Sequence, residues 1–305
     1  MKFYTLLHLT ESEKSLHNDS VRSFRDQINL YVQCIIRLDK SFKKTDSTLS
    51  IITNNADYIR TFLMDYPIDV IDIEFSLKVP SGISYFSPHF KIDVYKYFAS
   101  LNEKYVALID NDILCLNNTP PHLNGIIELE IPMYYDVTDQ IVPSETREVV
   151  LRDKQKVSRD NVIGLWFGGE FIAGPPSFFG KLYQEISTIK DSYFTNYPTL
   201  FHKSDETLSS IAIERMMING HNILDAGALD IIGRFWSPKP RHVQRSFDAY
   251  TNHFLLHLPS DKKFLMSLDD DEIEKGVFIA KYKKYLQKRS IRTFASKIKN
   301  ILVAK

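Results

Sequence analysis

Short apolar runs alternate with amphipathic stretches over the first 110 residues. Runs rich in apolar and β-branched residues predict strands at residues 3–9, 49–53, 70–75 and 105–109. Apolar residues spaced by three and four positions predict helices at residues 19–38, 56–64 and 90–101. Strands that alternate with helices in this way are typical of an α/β protein, with a mostly parallel sheet covered by helices on both faces.

The pattern changes further along the chain. From residue 117 to about residue 158 the periodicity loosens, which predicts a loop-rich region grafted on the sheet. Asp19 or Ser20 is the expected N-cap of the first long helix. Near the C-terminus, a short strand ending at His257 precedes a long amphipathic helix over residues 280–303.

Length and composition limit the possible classes of protein. The chain has 305 residues, 44% of them hydrophobic, which is enough for one large domain with a small appendage. Cys34 and Cys115 lie in apolar surroundings and lack metal-ligand spacing, so we expect buried thiols in a reducing compartment. The apolar run at the N-terminus is too short for a signal peptide, and no stretch approaches the length of a membrane span. These features predict a cytoplasmic protein.

The formal net charge of zero hides an asymmetry. Residues 275–305 contain ten Lys or Arg and no Asp or Glu, which leaves 28 basic against 38 acidic residues in the rest of the chain. We therefore predict a body over residues 1–265 and a basic helical tail over residues 266–305. A basic amphipathic helix is typical of segments that lie on an anionic membrane surface. Packing of the helix on the body is the alternative, and nucleic-acid binding is not expected because no recognised binding module accompanies the charges.

The sequence Asp110-Asn111-Asp112 follows the most strand-like apolar run, YVALI, and precedes another, ILCL. Ligands of open α/β sheets bind beyond the carboxyl ends of the strands, where this triplet lies. Two short carboxylates one residue apart suit a hard divalent cation that takes further oxygens from a diphosphate. The alternative is a simple turn, since Asp and Asn are common turn residues.

The segment YVALIDNDILCL, preceded by a helix that begins FKID, resembles the D-x-D region of GT-A-fold glycosyltransferases. These enzymes transfer a sugar from a nucleoside-diphosphate sugar, usually with Mn²⁺ or Mg²⁺. The resemblance implies that Asp112 binds the metal and that Asp110 faces the metal or the ribose. It also implies that Lys91 faces the nucleotide, with Asn111 as a permitted variant beside the nucleotide sugar.

The segment LWFGGEFIAG contains adjacent glycines, Gly168 and Gly169, flanked by aromatic residues. Glycines let a backbone approach a ligand closely. The segment is similar to the Gly-Gly-Phe stretch of the blood-group-type galactosyl and N-acetylgalactosaminyl transferases, which faces the transferred sugar. A plain loop is the alternative.

The segment HKSDETLS leads into an apolar helix, and Ser204 or Asp205 can cap that helix. Helix capping is the alternative interpretation, but the same blood-group-type family has a Trp-His-Asp-Glu-Ser segment at this place. This resemblance implies that Glu206 is the catalytic carboxylate beneath the anomeric carbon and that Asp205 contacts sugar hydroxyls. Phe201 and the Lys203-Ser204 pair depart from the family pattern.

The segment FLLHLPSDKKF resembles the His-x-x-Gly-x-x-Lys segment of glycogenin-like and lipopolysaccharide galactosyltransferases. The resemblance implies that His257 is the third protein ligand of the metal and that Lys263 holds the diphosphate. Ser260 stands where those families have Gly, and a core histidine is the alternative interpretation.

Together these segments predict a metal-dependent glycosyltransferase with a GT-A, Rossmann-like sheet. The expected donor is a nucleoside-diphosphate sugar, with UDP as the favoured nucleotide. The expected acceptor is a saccharide or lipid-linked saccharide of a bacterial surface glycan, reached at the inner face of the membrane. Two alternatives stay open: a sugar-nucleotide nucleotidyltransferase, whose Gly-rich loop is missing from residues 10–14, and a non-catalytic binding protein of the same fold.

Overall fold

The computed structural model describes residues 1–10, 23–83, 86–160 and 162–303. For residues 142–145 and 292–303 it describes the backbone alone. The strands within these ranges are β1 (Lys2–Leu7), β2 (Thr48–Thr53), β3 (Asp69–Asp72), β4 (Val106–Ile109), β5 (Ile113–Cys115), β6 (Met133–Asp136), β7 (Phe167–Gly174), β8 (Leu224–Asp225), β9 (Ile232–Arg234) and β10 (Leu255–His257). The α-helices are α1 (Phe24–Ser41), α2 (Ala56–Leu63), α3 (Lys91–Phe98), α4 (Pro121–Glu128), α5 (Thr138–Glu145), α6 (Arg147–Ser158), α7 (Pro176–Asn196), α8 (Asp205–Ile218), α9 (Lys262–Met266) and α10 (Lys275–Val303).

Seven strands form a large sheet in the order β3-β2-β1-β4-β7-β6-β8. The first four predicted strands pair in parallel, with β1 between β2 and β4. Strand β7 is antiparallel to both β4 and β6, while β8 returns to a parallel pairing with β6. The predicted α/β class, a mostly parallel sheet with flanking helices, is confirmed.

Each face of the large sheet has its own apolar core. On one face α1 and α2 pack against β1 and β2, and on the other face α3, α7 and α8 pack together over β4 and β7. Helix α1 buries Ile28, Ile35 and Leu38, which the sequence pattern placed on one apolar stripe. Its N-cap is Ser23, whose hydroxyl accepts a hydrogen bond from the backbone N–H of Asp26. The predicted caps, Asp19 and Ser20, lie outside the described residues.

The prediction of a loop-rich region over residues 117–158 is wrong. This part of the chain contains α4, β6, α5 and α6. Helix α6 buries the charged residues Asp153 and Lys154, both fully shielded from solvent. A helix that buries charges in place of apolar residues gives no amphipathic signal, which explains why the sequence pattern missed it.

A second, small sheet has the order β5-β10-β9, with β10 antiparallel to β5 and parallel to β9. A third apolar core connects this sheet to α9 and to the first half of α10. Phe278 and Tyr282 of α10 are fully buried there, against Phe264. The predicted boundary between residues 265 and 266 therefore falls inside a packed cluster.

Helix α10 confirms the predicted helical tail, and its first half is fastened to the body by polar contacts as well. The buried carboxylate of Asp261 accepts hydrogen bonds from the hydroxyls of Tyr282 (2.6 Å) and Tyr285 (2.7 Å) and from Arg289 (3.1 Å). Packing, the alternative reading of the tail, thus applies to its first half. Among the helices that the structure describes, none has the length and apolar character needed to cross a bilayer.

Candidate active site

The Asp110-Asn111-Asp112 triplet joins the two sheets. Strand β4 ends at Ile109, the backbone turns, and β5 begins at Ile113. The N–H of Asp110 donates to the carbonyl oxygen of Glu170 in the large sheet (3.1 Å), while the carbonyl of Asp112 accepts from Leu258 beside the small sheet (2.9 Å). The triplet therefore forms the turn given above as the alternative, and backbone bonds tie its first residue to the large sheet and its last residue to the segment beside the small sheet.

Asp110, Asp112 and His257 converge, with one potential ligand atom from each lying within 4.8 Å of the others. We call these three residues the ion cluster. Two carboxylates and an imidazole form a donor set that suits a divalent ion of the Mn²⁺ type. The side-chain oxygen of Asn111 is shielded from solvent and has no hydrogen-bond partner among the described residues, so the turn holds a further unused acceptor beside the cluster. The residues present fit a bound cation.

The imidazole of His257 is oriented by carboxylates on both sides. Its Nε2 lies 3.0 Å from Asp112 Oδ1, and its Nδ1 lies 3.2 Å from Glu170 Oε1. Burial lowers the pKa of His257, but Asp112 and Glu170 outweigh burial and raise this pKa to about 9. Once its Nε2 proton is lost, the ring can coordinate a cation through Nε2 while Nδ1–H donates to Glu170. Such a carboxylate behind a histidine ligand fixes the tautomer and the ring plane.

Lys262, which the sequence analysis did not select, contacts the ion cluster. Its ammonium group donates to Asp112 Oδ2 and to the carbonyl of Pro259 (3.3 Å). Burial raises the pKa of Asp112, but Lys262 and His257 more than offset this and hold that pKa well below its usual range. The predicted phosphate ligand, Lys263, is the next residue on α9 and is exposed.

Arg234 lies behind Glu170. Its guanidinium is buried, 3.3 Å from Glu170 Oε1, and its Nε donates to Gln140 (3.0 Å). Burial raises the pKa of Glu170, but Arg234 and His257 reverse this and lower it to about 2. Strand pairing explains why Arg234 lies near Glu170 and His257, because Arg234 at the end of β9 is in register with His257 at the end of β10. A buried charge that ends an apolar run, as in IIGR, is the signal that could have identified Arg234 from the sequence.

Lys91 connects the ion cluster to α8. Its ammonium group donates to Asp110 Oδ1 (2.9 Å) and to the carbonyl of Gly169 (2.7 Å), and lies 3.7 Å from Asp205 Oδ2. Burial lowers the pKa of Lys91, but the two carboxylates outweigh it and raise the pKa above the usual value. Lys91 is therefore a buried cation shared between two of the predicted site residues.

Glu206 is held by groups outside its own helix. The indole Nε1–H of Trp166 donates to Oε2 (3.0 Å), and the N–H of Gly169 donates to Oε1 (3.1 Å). Ser204 is the N-cap of α8 by backbone geometry, without a side-chain capping bond. Asp205 is buried, and burial raises its pKa to about 7 despite the opposing charge of Lys91. Neither carboxylate makes a side-chain bond that caps α8 in the described structure.

The two glycines lie in β7, a fully buried strand, where the sequence left a loop as the alternative. A Cβ at Gly169 would lie 3.2 Å from Lys91 Nζ, 3.3 Å from Asp205 Oδ2 and 3.3 Å from Glu206 Cγ. The missing side chain thus makes room for protein groups of the site. At Gly168 a Cβ would lie 2.5 Å from Glu170 Oε2, so this glycine makes room for the carboxylate that orients His257.

The predicted residues thus fall into one continuous cluster, with one exception. Asp110 joins the ion cluster to Lys91, and Lys91 joins it to Gly169, Asp205 and Glu206. The exception is Lys263, whose neighbour Lys262 makes the contact with Asp112. Sequence reasoning missed four residues of the cluster: Trp166, Glu170, Arg234 and Lys262. They reach the site through strand register and tertiary contacts, which no local sequence pattern reports.

No protein-family model matches the chain, and no curated protein matches it. Among solved structures, one that is similar to this chain is a glycosyltransferase. It is the galactosyltransferase LgtC, solved in complex with donor and acceptor sugar analogs, with 11% sequence identity, a TM-score of 0.49, and coverage of 90% of this chain and 100% of that chain.

Proposed function

We propose that the protein is a metal-dependent glycosyltransferase that transfers a sugar from a nucleoside-diphosphate sugar to a saccharide acceptor. The observation that supports this most is the convergence of Asp110, Asp112 and His257 at the junction of the two sheets. These residues would hold Mn²⁺ or Mg²⁺. When bound, the cation would neutralise the charge that develops on the diphosphate leaving group.

The other residues of the site have roles that suit the same reaction. Lys262, and Lys263 beside it, place positive charge where a diphosphate would reach the cation. Glu206 is fixed by Trp166 and Gly169, and Lys91 connects Gly169 to Asp110 of the ion cluster. A carboxylate held this firmly can stabilise positive charge at an anomeric carbon, attack it, or take a proton from an acceptor hydroxyl.

The experiment that tests the proposal is thermal unfolding with UDP, with Mn²⁺, and with both together. A ligand that binds the folded state raises the unfolding temperature, so we expect a rise that requires both components. Asp112→Asn removes one carboxylate charge from the ion cluster and should abolish the metal-dependent part of the rise. Asp191→Asn, at an exposed position of α7, is the matched control and should leave it unchanged.

Absence of a metal-dependent rise with UDP, and with the other nucleoside diphosphates, would leave a non-catalytic binding protein as the better account. Where the rise is found, incubation with a panel of nucleoside-diphosphate sugars and detection of the released diphosphate then identifies the donor. Loss of this activity after exhaustive EDTA treatment and its recovery with Mn²⁺ would establish the metal dependence.

We also propose that the end of α10 attaches the enzyme to an anionic membrane surface, where a lipid-linked acceptor of a surface glycan would be available. The first half of α10 is fastened to the body through Tyr282, Tyr285 and Arg289. Ile291, one turn beyond Lys288, is 68% exposed and begins the segment that would contact lipid. Residues 291–305 add four basic residues and no acidic one.

A further inference from the structure

The loop that follows β9 has no role in the functions discussed above. It covers residues 235–246, with the sequence FWSPKPRHVQRS, and carries three cationic side chains close together, Lys239, Arg241 and Arg245. All three are exposed. None forms an ion pair with a carboxylate in the ranges that the structure describes. Such a concentration of cations is unexpected on a body that is otherwise acidic.

The position of the loop relates it to the active site. Arg234 ends β9 in register with His257, so the loop leaves the small sheet at the level of the ion cluster. The guanidinium of Arg234 lies 5.8 Å from the ring centre of Trp236, within the range of a cation–π contact. Arg234 also lies close enough to Glu206 for the charge of Glu206 to act on it. The loop therefore begins beside the carboxylate proposed for sugar transfer.

The loop is held in a defined conformation. The amide of Gln244 makes two hydrogen bonds across its base, accepting from the N–H of Trp236 (2.8 Å) and donating to the carbonyl of Trp236 (2.9 Å). The hydroxyl of Ser237 donates to Asp261 (2.7 Å). The chain on both sides is anchored, since Phe247 packs 4.8 Å from Tyr282 of α10. A loop fixed at its base in this way can present side chains for recognition.

The side chains presented are hydrogen-bond donors. Trp236 is partly exposed, and its indole Nε1 is shielded from solvent without a hydrogen-bond partner among the described residues. Nε2 of His242 is shielded and unpartnered in the same sense. An indole N–H, guanidinium groups and an ammonium group can donate but cannot accept. Guanidinium and ammonium groups bind carboxylate and phosphate oxygens more strongly than neutral hydroxyls, so the exposed Lys239, Arg241 and Arg245 favour a ligand that carries such an anion.

From this arrangement we propose that the loop over residues 235–246 binds the acceptor, and that the acceptor is an anionic saccharide. Trp236 gives a partly exposed apolar face to a sugar ring, while Arg241 and Arg245 bind its carboxylate or phosphate group. The inference rests on the proposed glycosyltransferase function and adds the chemical class of the acceptor. Binding of an anionic lipid surface by the same cations is the competing outcome that the vesicle measurement below tests.

The test uses the full chain and its own tryptophans. The sequence has two, Trp166 and Trp236, so the part of a ligand-dependent fluorescence change that is lost in Trp236→Phe reports on Trp236. The probes are lactose, lactose 6-phosphate and 6′-sialyllactose, which differ in carrying no anion, a phosphate or a carboxylate. We expect saturable binding of at least one anionic probe, at least tenfold tighter than that of lactose. Whichever anion binds more tightly identifies the group recognised.

Two double variants separate the loop from general attraction. Arg241→Gln with Arg245→Gln should weaken the anionic probe at least fivefold and leave lactose binding unchanged. Lys104→Gln with Lys181→Gln removes the same charge from exposed positions before β4 and on α7, and should weaken the anionic probe less than twofold. Trp236→Phe, measured by calorimetry, should weaken all probes that bind.

Three results would overturn the inference: equal affinity for lactose and both anionic probes, equal effects of the two double variants, or loss of binding to phosphatidylglycerol vesicles without loss of saccharide binding in the loop variant. Unfolding with UDP and Mn²⁺ is measured on the same samples, so that failure of this inference can be told apart from failure of the proposed function. A metal-dependent rise with UDP but no anion preference refutes the acceptor class alone.

Discussion

Glu170 and His257 face each other across 3.2 Å, on the side of the imidazole ring opposite Asp112. Glu170 is fully buried, and Arg234 holds the same carboxylate oxygen from behind, at 3.3 Å. The orientation of the proposed metal ligand His257 is therefore set by Glu170 and Arg234, which do not belong to the ion cluster. This relationship gives the first prediction.

Glu170→Gln should weaken Mn²⁺ binding by about ten- to a hundredfold, the range found when a carboxylate behind a histidine ligand is removed. The measurement is calorimetric titration of Mn²⁺ in the presence of UDP, with circular dichroism to confirm the fold. Gln140→Leu is the control, because it removes another polar partner of Arg234 without touching His257. Equal losses in the two variants would mean that Glu170 acts through general stability and not through His257.

Glu206→Gln should lower turnover by about a hundred- to ten-thousandfold while UDP binding survives, because the carboxylate charge acts on the reacting sugar. The variant keeps an oxygen for the N–H of Gly169 but can lose the bond from Trp166. Trp166→Phe, which removes that bond and keeps the charge, is the matched control and should cost much less. If both variants lost the same activity, positioning by Trp166 would be the explanation instead of charge.

Gly169→Ala should impair the site, since the new Cβ would crowd Lys91, Asp205 and Glu206 at 3.2–3.3 Å. We expect at least a tenfold loss of turnover with a cooperative unfolding transition retained. Gly125→Ala is the comparison, because this glycine lies inside α4 with no atom within 4 Å of the added Cβ. It should raise the free energy of unfolding by about 0.5–1 kcal/mol and leave activity intact. Equal activity in the two variants would contradict the role given to Gly169.

Asp205 gives a prediction about pH. Burial raises its pKa in the folded state to about 7, above the usual value near 3.8, so the folded protein binds more protons than the unfolded chain between these pH values. Stability from this group is therefore present at low pH and is lost as the pH rises towards 7. The Asp205→Asn variant has no ionisable group at this position, so its stability does not fall in this way as the pH rises.

The measurement is urea unfolding in metal-free buffer. Between pH 5 and pH 8 the free energy of unfolding of Asp205→Asn should rise relative to that of the native protein. The expected change is about 2–3 kcal/mol, at about 1.4 kcal/mol per pKa unit. Asp191→Asn, at an exposed position, should show no such trend. A flat difference for Asp205→Asn would mean that Asp205 is ionised throughout this range.

For the tail, truncation after Ser290 should reduce co-sedimentation with phosphatidylglycerol vesicles at least tenfold, since each basic residue near an anionic surface contributes about 1 kcal/mol. This cut preserves Tyr282 and Arg289, which bond to Asp261, so the body should stay folded. A cut after Gly276 would uncover the third apolar core and is unsuitable. Equal sedimentation of the two chains, or no dependence on salt, would refute attachment through the tail.

The sequence predicted the first four strands and their helices because each of these elements has a period that can be seen locally. Strand β4 has four consecutive buried residues, and α1 has an apolar stripe. Helix α6 was missed because Asp153 and Lys154 occupy buried positions where apolar residues would give the pattern.

The candidate site shows the same division. Asp110 and Asp112 could be selected because carboxylates interrupt an apolar run. Glu170 could not, since its position beside His257 follows from contacts of β7, whereas Arg234 offered one signal, a charge that ends an apolar run. Lys262, the first residue of α9, contacts Asp112, and its neighbour Lys263 was the residue predicted. A rule based on residue spacing cannot distinguish two adjacent lysines.

The junction of the two sheets has a consequence for the order in which a nascent chain can mature. Asp110 meets Lys91, only 19 residues earlier, whereas the partners of Asp112 lie 145 and 150 residues later, at His257 and Lys262. At a synthesis rate of about 5–20 residues per second, the second carboxylate would wait for roughly 8–30 seconds after the first is in place. A ribosome-bound chain that has not yet reached His257 therefore lacks both side-chain partners of Asp112, and the proposed cation site can form only after Lys262 has been added.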